Sequence, residues 1–371
     1  MSQSDNLNSM SNREILSSLF ESGKIDLNEG DLFRSQDLAS QKDIDCDRIE
    51  GMMLGLAIGD SLGNTSEGMR PSQRRKSHGE IRDYLPNSHW GNEAKGFPTD
   101  DTQLAFWTLE QMIEDHGFIP DHVARRFSFG TIFGIGSTVR MFTFQYKLGK
   151  PWYECGPKSA GNGALMRIAP MIIPHLNTQT ADLWADTAIS AMMTHNDSAS
   201  TASCLAFVFM LRELIQMDRP PEPNWWLKTF VIIARDLECD DTYQPRGGAY
   251  VDYCGPLWRF IEQKVGQAYD EGLSVLDACN LWHSGAYLLE TVPSVIYILM
   301  KYAHDPEQAI IRAVNDTVDN DTIAAIVGSA VGALHGKKKI PQRWLTDLTG
   351  RTTKEDDGKL CMILHRARKT F

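Results

Sequence analysis

Gly51-Met-Met-Leu-Gly55-Leu-Ala-Ile-Gly59-Asp60-Ser-Leu-Gly63 puts a glycine at every fourth position of a segment otherwise built from Met, Leu, Ala and Ile. At helical geometry the four glycines fall along one stripe. Each costs roughly 1 kcal/mol against alanine in a helix interior, so the stripe needs a packing reason, and close approach of another backbone is one. Far downstream, Gly328, Gly332 and Gly336 repeat the spacing among Ala324, Ala325, Ala330 and Ala333. No stretch shows convincing strand alternation. The expected architecture is therefore all-α, one compact helical domain over 46–371 preceded by a differently composed extension over 1–45.

Other helices are expected at about 100–115, 121–133, 137–147, 181–195, 198–217, from Trp225 onward, and at 257–270, 273–289, 293–303 and 306–315. Residues 70–97 lack a period and read as a loop, as does 236–256 with its Gly247-Gly248 pair.

Two helix starts are unusual. Pro98-Thr99-Asp100-Asp101-Thr102-Gln103 opens a helix whose buried face is Leu104, Trp107, Leu109, Met112 and Ile113. Acids at such a start are favoured by the helix dipole and by capping, but one cap needs one acid, not two. Asp319-Asn320-Asp321-Thr322 opens another apolar, small-residue helix in the same way. Four carboxylates and several hydroxyls at two helix N-termini can hold hard cations through oxygen. Asp60 interrupts the first glycine-striped segment, and Glu67 follows in the loop after it.

Between these turns, Gly156-Pro157-Lys158-Ser159-Ala160-Gly161-Asn162-Gly163 enters a helical stretch and can present backbone N–H groups to a phosphate. It matches neither the Walker A nor the dinucleotide pattern, and an ordinary tight turn explains its glycines equally well. His195 sits in a Thr-His-Asn-Asp junction, where a capping or core role competes with a ligand-binding one.

The formal charge of −11 argues against a generic nucleic-acid or anionic-membrane surface. It also makes an anionic substrate awkward unless a bound divalent cation supplies local positive charge. Seven scattered cysteines without a Cys-x-x-Cys pair suggest reduced thiols and a cytoplasmic location. The polar N-terminus has no apolar core of a signal peptide, and the longest apolar run, 323–334, is too short to span a bilayer. Within 1–45, Ser11 and Glu14 form a capping-box pattern ahead of Ile15, Leu16, Leu19 and Phe20, with a further apolar cluster at Leu27, Leu32 and Phe33. This segment reads as a loose tail, as an arm on its own core, or as an arm whose short helix docks on a partner.

These segments, in this order, resemble the ADP-ribosylglycohydrolase family, which includes the dinitrogenase-reductase-activating glycohydrolases. The matching stretches are Gly55–Gly63 with Glu67, Phe97–Gln103, Ser159–Arg167, Thr194-His195 and Asp319–Ala325. The resemblance implies an all-α fold around a cleft with two divalent cations, Mg2+ or Mn2+. By position it makes Thr99, Asp100, Asp101, Asp319, Asp321 and Thr322 the metal ligands. It makes Ser159, Gly161, Asn162 and Gly163 the diphosphate and ribose cradle, His195 a substrate contact, and Glu67 an acid at the mouth. Asp100 or Asp101 becomes the base for hydrolysis of the N-glycosidic bond joining ADP-ribose to arginine on a modified protein. An O-glycosidic linkage, on serine or in a polymer, is the alternative within the same fold. A third reading is an immunity protein that binds an ADP-ribosyltransferase toxin through residues 1–45. Thr317-Val318 stands where the family commonly has Gly-Gly, and its side chains are expected to narrow the cleft or crowd the sugar.

Overall fold

The structure, a computed structural model, describes residues 10–34, 45–88, 91–177, 181–353, 355 and 357–371. Among the described residues no strand forms; there are only isolated bridges. The α-helices are α1 (Asn12–Glu21), α2 (Asp31–Arg34), α3 (Cys46–Asn64), α4 (Pro71–His78), α5 (Asp100–Asp115), α6 (Pro120–Phe129), α7 (Ser137–Lys147), α8 (Asp182–Thr194), α9 (Ser198–Leu214) and α10 (Pro223–Leu237). They continue with α11 (Leu257–Phe260), α12 (Gly266–Asp270), α13 (Val275–Leu281), α14 (Leu288–Tyr302), α15 (Pro306–Asp316), α16 (Asn320–His335), α17 (Gln342–Asp347) and α18 (Lys359–Thr370).

The centre of the domain is the pair α3 and α16. Every residue from Gly51 to Gly63 is buried, and so is every residue from Asn320 to Leu334. Helices enclosed on all sides in this way need no polar face. Their glycine stripes face each other in antiparallel order. A methyl group at Gly55 would overlap the backbone carbonyl of Gly328, and one at Gly328 would overlap the carbonyl of Gly55. Gly51 and Gly332 are related in the same reciprocal way, and Gly63 lies against the backbone of Asp321. The packing reason for each stripe is thus the other stripe. The consequence for the site is that Asp60, near the end of α3, comes beside Asp321 at the start of α16.

Asp60 also fixes α5. Its buried carboxylate accepts hydrogen bonds from the Thr99 and Thr102 backbone N–H groups at 2.8 and 3.1 Å and from their hydroxyls at 2.8 and 2.5 Å. The N-cap residue Thr99 makes no side-chain cap of its own. Capping of α5 is therefore delegated to an acid forty residues upstream, and Asp100 and Asp101 are released from it.

Two expectations fail here. The stretch 70–97 contains α4, whose sequence has no apolar period because its buried residues are Pro71 and Arg74. The Arg74 guanidinium is enclosed and donates to the carbonyls of Met69 at 2.9 Å and Thr317 at 2.7 Å and to the Ser66 hydroxyl at 3.0 Å. It ties the loop after α3 to the turn before α16. The single helix expected over 273–289 is interrupted after Leu281, where His283 and Ser284 take positive φ angles of 74° and 50°. That break aims the Ser284 carbonyl at the backbone N–H groups of Val318 and Asp319, at 3.2 and 3.0 Å, and so supports the second acidic turn.

Residues 10–34 lie on the body. Ile15, Leu16 and Leu19 are buried, with α1 packed on α8. Asn12 bridges to the Asp186 carboxylate at 2.6 Å and the Phe118 carbonyl at 2.8 Å. The apolar face that would dock on a partner is occupied by the chain's own helix; residues 1–9 and 35–44 of the expected arm lie outside the described residues. Leu16→Ala should cost about 2–5 kcal/mol, as for other enclosed leucines. An unchanged urea midpoint would show that the segment is not part of the cooperative unit.

No helix among the described residues is long and apolar enough to cross a membrane. The seven cysteines are all free thiols.

Candidate active site

A cleft of about 960 Å³ opens where the N-termini of α5 and α16 meet. Thr99, Asp100, Asp101, Asp319, Asp321 and Thr322 line it together with Glu67, Ser159, Gly161, Asn162, Gly163 and His195. All the residues selected from the sequence are thus brought to one cavity, although they span 256 positions from Glu67 to Thr322.

The acids are crowded. Oxygens of Asp60, Asp101 and Asp321 lie within 4.8 Å of one another, and so do those of Glu67, Asp319 and Asp321. Asp321 is common to both triples. Burial, then the charges of Asp60, Glu67 and Asp319, push the Asp100 carboxyl up to about 7. Burial likewise raises Asp319 to about 7 and Asp60 to about 6. Asp101 and Asp321 are held well above the usual carboxylate range by burial and by neighbouring carboxylates. Such a set favours either protons or cations.

The donors suit hard divalent ions. They are all oxygen, and the buried Oδ1 of Asp101 has no hydrogen-bond partner, an expensive condition unless a ligand supplies one. Asp60 belongs to one triple but spends its oxygens on the Thr99–Thr102 turn, and Asp100 lines the cleft outside both triples.

The loop Ser159–Gly163 forms the opposite wall. The Ser159 hydroxyl is 3.1 Å from that of Thr138 and accepts from the Gly161 N–H at 3.3 Å. The Asn162 amide is engaged within the wall: it donates to Asp319 at 2.5 Å and to the Thr291 hydroxyl at 3.0 Å. It therefore fixes an acid of the second turn. Gly163 has no room for a side chain, because a Cβ there would stand 2.9 Å from the His195 ring.

His195 is enclosed, and burial together with the Arg167 charge lowers it to about 3, so it is neutral at physiological pH. The Thr194 hydroxyl accepts from Arg167 at 2.8 Å and lies 2.9 Å from His195 Nδ1. Donation of the Thr194 proton to Nδ1 would place the imidazole proton on Nε2.

Thr317 and Val318 do not narrow this cleft. The Thr317 hydroxyl turns back to the Ala313 carbonyl at 2.6 Å, and Val318 lines a neighbouring cavity.

Several lining residues carried no signal in the sequence. Arg246, in the irregular 236–256 segment, reaches the cleft and pairs with the enclosed Glu290 at 3.1 Å while lying 4.7 Å over the Tyr287 ring. The Arg351 guanidinium is sandwiched between Phe97 and Phe133, 3.6 and 3.7 Å from the two ring centroids. No spacing rule links these positions.

A family model described as ADP-ribosylglycohydrolase matches residues 40–370. The ADP-ribosylarginine hydrolase Tri1 of Serratia proteamaculans is 27% identical over 315 residues, covering 81% of this chain and 75% of that relative. The ADP-ribosyl-[dinitrogen reductase] glycohydrolase of Rhodospirillum rubrum is 26% identical over 317 residues, 83% of this chain and 92% of the relative. A solved structure titled "ADP-ribosylglycohydrolase-related protein complex" superposes with a TM-score of 0.62 at 25% identity, over 88% of this chain and 99% of its own.

Proposed function

Because the chain belongs to the ADP-ribosylglycohydrolase family and is a glycosyl hydrolase, we propose that it removes ADP-ribose from arginine side chains of modified proteins, with two divalent cations, Mg2+ or Mn2+, in its acidic cleft. The observation that carries this reading is the single cavity in which two carboxylate triples sharing Asp321 face the Ser159–Gly163 loop. The name of the Serratia relative supports arginine as the acceptor.

Asp101, Asp319, Asp321 and Glu67 would hold the cations, with Asp100, Thr99 and Thr322 beside them, while Asp60 holds the Thr99–Thr102 turn in place. When bound, the cations supply Lewis-acid charge that anchors sugar hydroxyls and acidifies water. The chain's own groups divide the remaining work. Asp100, a cleft-lining carboxylate outside both triples, suits a base that takes the proton of the attacking water as it approaches the anomeric carbon. The surrounding carboxylates favour positive charge developing on the sugar ring. The Ser159–Gly163 loop and the His195 Nε2–H offer donors to the diphosphate and ribose. Arg246 stands beside that loop as a counter-charge, and Arg246→Ala should raise KM about tenfold with little change in kcat, read from steady-state kinetics.

Release of ADP-ribose from arginine-modified and serine-modified protein, measured side by side with manganese and after chelation, tests the reading. Metal-dependent release from arginine is expected. Release from serine alone, or undiminished activity after chelation, would overturn it.

A further inference from the structure

A second cavity, of about 540 Å³, lies behind the rim of the acidic cleft. Three chain segments pass from one cavity to the other. Glu67, Arg246 and Asp319 line the cleft, and Arg70, Gly248 and Val318 line the second cavity. The longest of these links is three residues, so the two cavities are separated by no more than about 10 Å of extended chain.

The charges around the second cavity are unevenly matched. Of its acids, Glu80 is met by Arg82 and Arg312, and Asp316 is met by Arg312. Arg70 and Arg75 also line it, are exposed, and form no ion pair among the described residues. Arg75 adds to the positive field at Asp316 without pairing with it. His283 and Asn280 complete the polar wall, and Pro71 and Ser72 contribute the first turn of α4. Two unpaired guanidinium groups on a chain of net charge −11 form a local anion-attracting patch, and guanidinium is suited to gripping a carboxylate with two hydrogen bonds.

We propose that this cavity is the acceptor-side subsite of the enzyme, taking an Asp or Glu side chain of the modified protein that lies within about three residues of the ADP-ribosylated one. The inference rests on the proposed hydrolase reading of the acidic cleft. It makes selection of the protein substrate a property of Arg70 and Arg75, separate from recognition of ADP-ribose.

The test uses the full chain and an Arg70→Glu/Arg75→Glu variant with three substrates: ADP-ribosylarginine, an arginine-modified peptide with flanking acids, and the same peptide with alanines instead. The native enzyme should show a kcat/KM for the acidic peptide about tenfold above that for the alanine peptide. The variant should lose or invert that preference and cleave ADP-ribosylarginine as before. No preference in the native enzyme, or the same preference in the variant, would overturn the subsite while leaving the hydrolase reading standing. Failure of the native enzyme to cleave ADP-ribosylarginine would remove the reading on which the subsite depends. If inorganic phosphate altered ADP-ribosylarginine cleavage in the native enzyme but not in the variant, the cavity would be an effector site and the acceptor assignment would fall.

Discussion

Asp321→Asn is expected to lower hydrolysis by three orders of magnitude or more, about 4 kcal/mol of transition-state stabilisation, while the chain stays folded. Asp321 is the carboxylate shared by both triples, so its loss affects both candidate cation positions at once. Asparagine keeps the shape and the Oδ1 that accepts from the Thr322 N–H at 2.9 Å, while it removes the charge and turns the other oxygen into an NH2 donor. The same substitution should stabilise the metal-free protein. Burial and the charges of Asp319 and Asp101 raise the Asp321 carboxyl well above its ordinary value, so the folded state binds its proton more tightly than the unfolded state does. Such a group favours the fold below the ordinary carboxylate range, and that contribution is lost as pH rises through the raised value. At neutral pH the Asn variant escapes this penalty. Metal-free, it should melt above the native chain, whereas added manganese should raise the native melting temperature and leave the variant's unchanged. Normal turnover in folded Asp321→Asn, or full stabilisation by manganese, would sink the assignment.

Gly55→Ala should destabilise the fold by about 3 kcal/mol or more, although alanine is the better helix former by about 1 kcal/mol. The added methyl meets the Gly328 carbonyl, which belongs to a backbone and cannot rotate aside. The two central helices would have to part, with loss of packing along their length. A second substitution, Gly328→Ala, should then cost less than it does alone, because the gap is already open. Activity should fall as well, since this helix pair sets Asp60 beside Asp321. A urea midpoint at or above that of the native chain would refute the close-packing argument.

The helical class and the acidic turns were legible because both are local. A glycine every fourth residue places a stripe on a helix whatever its neighbour is, and an acid pair at a helix start is visible within six residues. Family order then grouped Thr99–Asp101 with Asp319–Thr322, and the cleft contains both. What was hidden depends on partners far along the chain. Helix α4 has no apolar period because a buried arginine anchors it, and that arginine finds its acceptors about 240 positions away at Asn315 and Thr317. The break falls at His283-Ser284, two residues without a glycine's freedom, and the adjacent Gly285 alone does not reveal that the Ser284 carbonyl meets the second acidic turn.

The opening pair of acids shows the same division. Sequence alone determined that Asp100 and Asp101 begin a helix and exceed what one cap requires. Only the tertiary structure decided that Asp60 does the capping, that Asp101 rather than Asp100 joins Asp321, and that Arg246 and Arg351 reach the cleft. The reason is that helix formation depends on residues three and four apart, whereas cavity and charge environment depend on which helices touch. Here that choice is made by two glycine stripes that fit only each other's backbone.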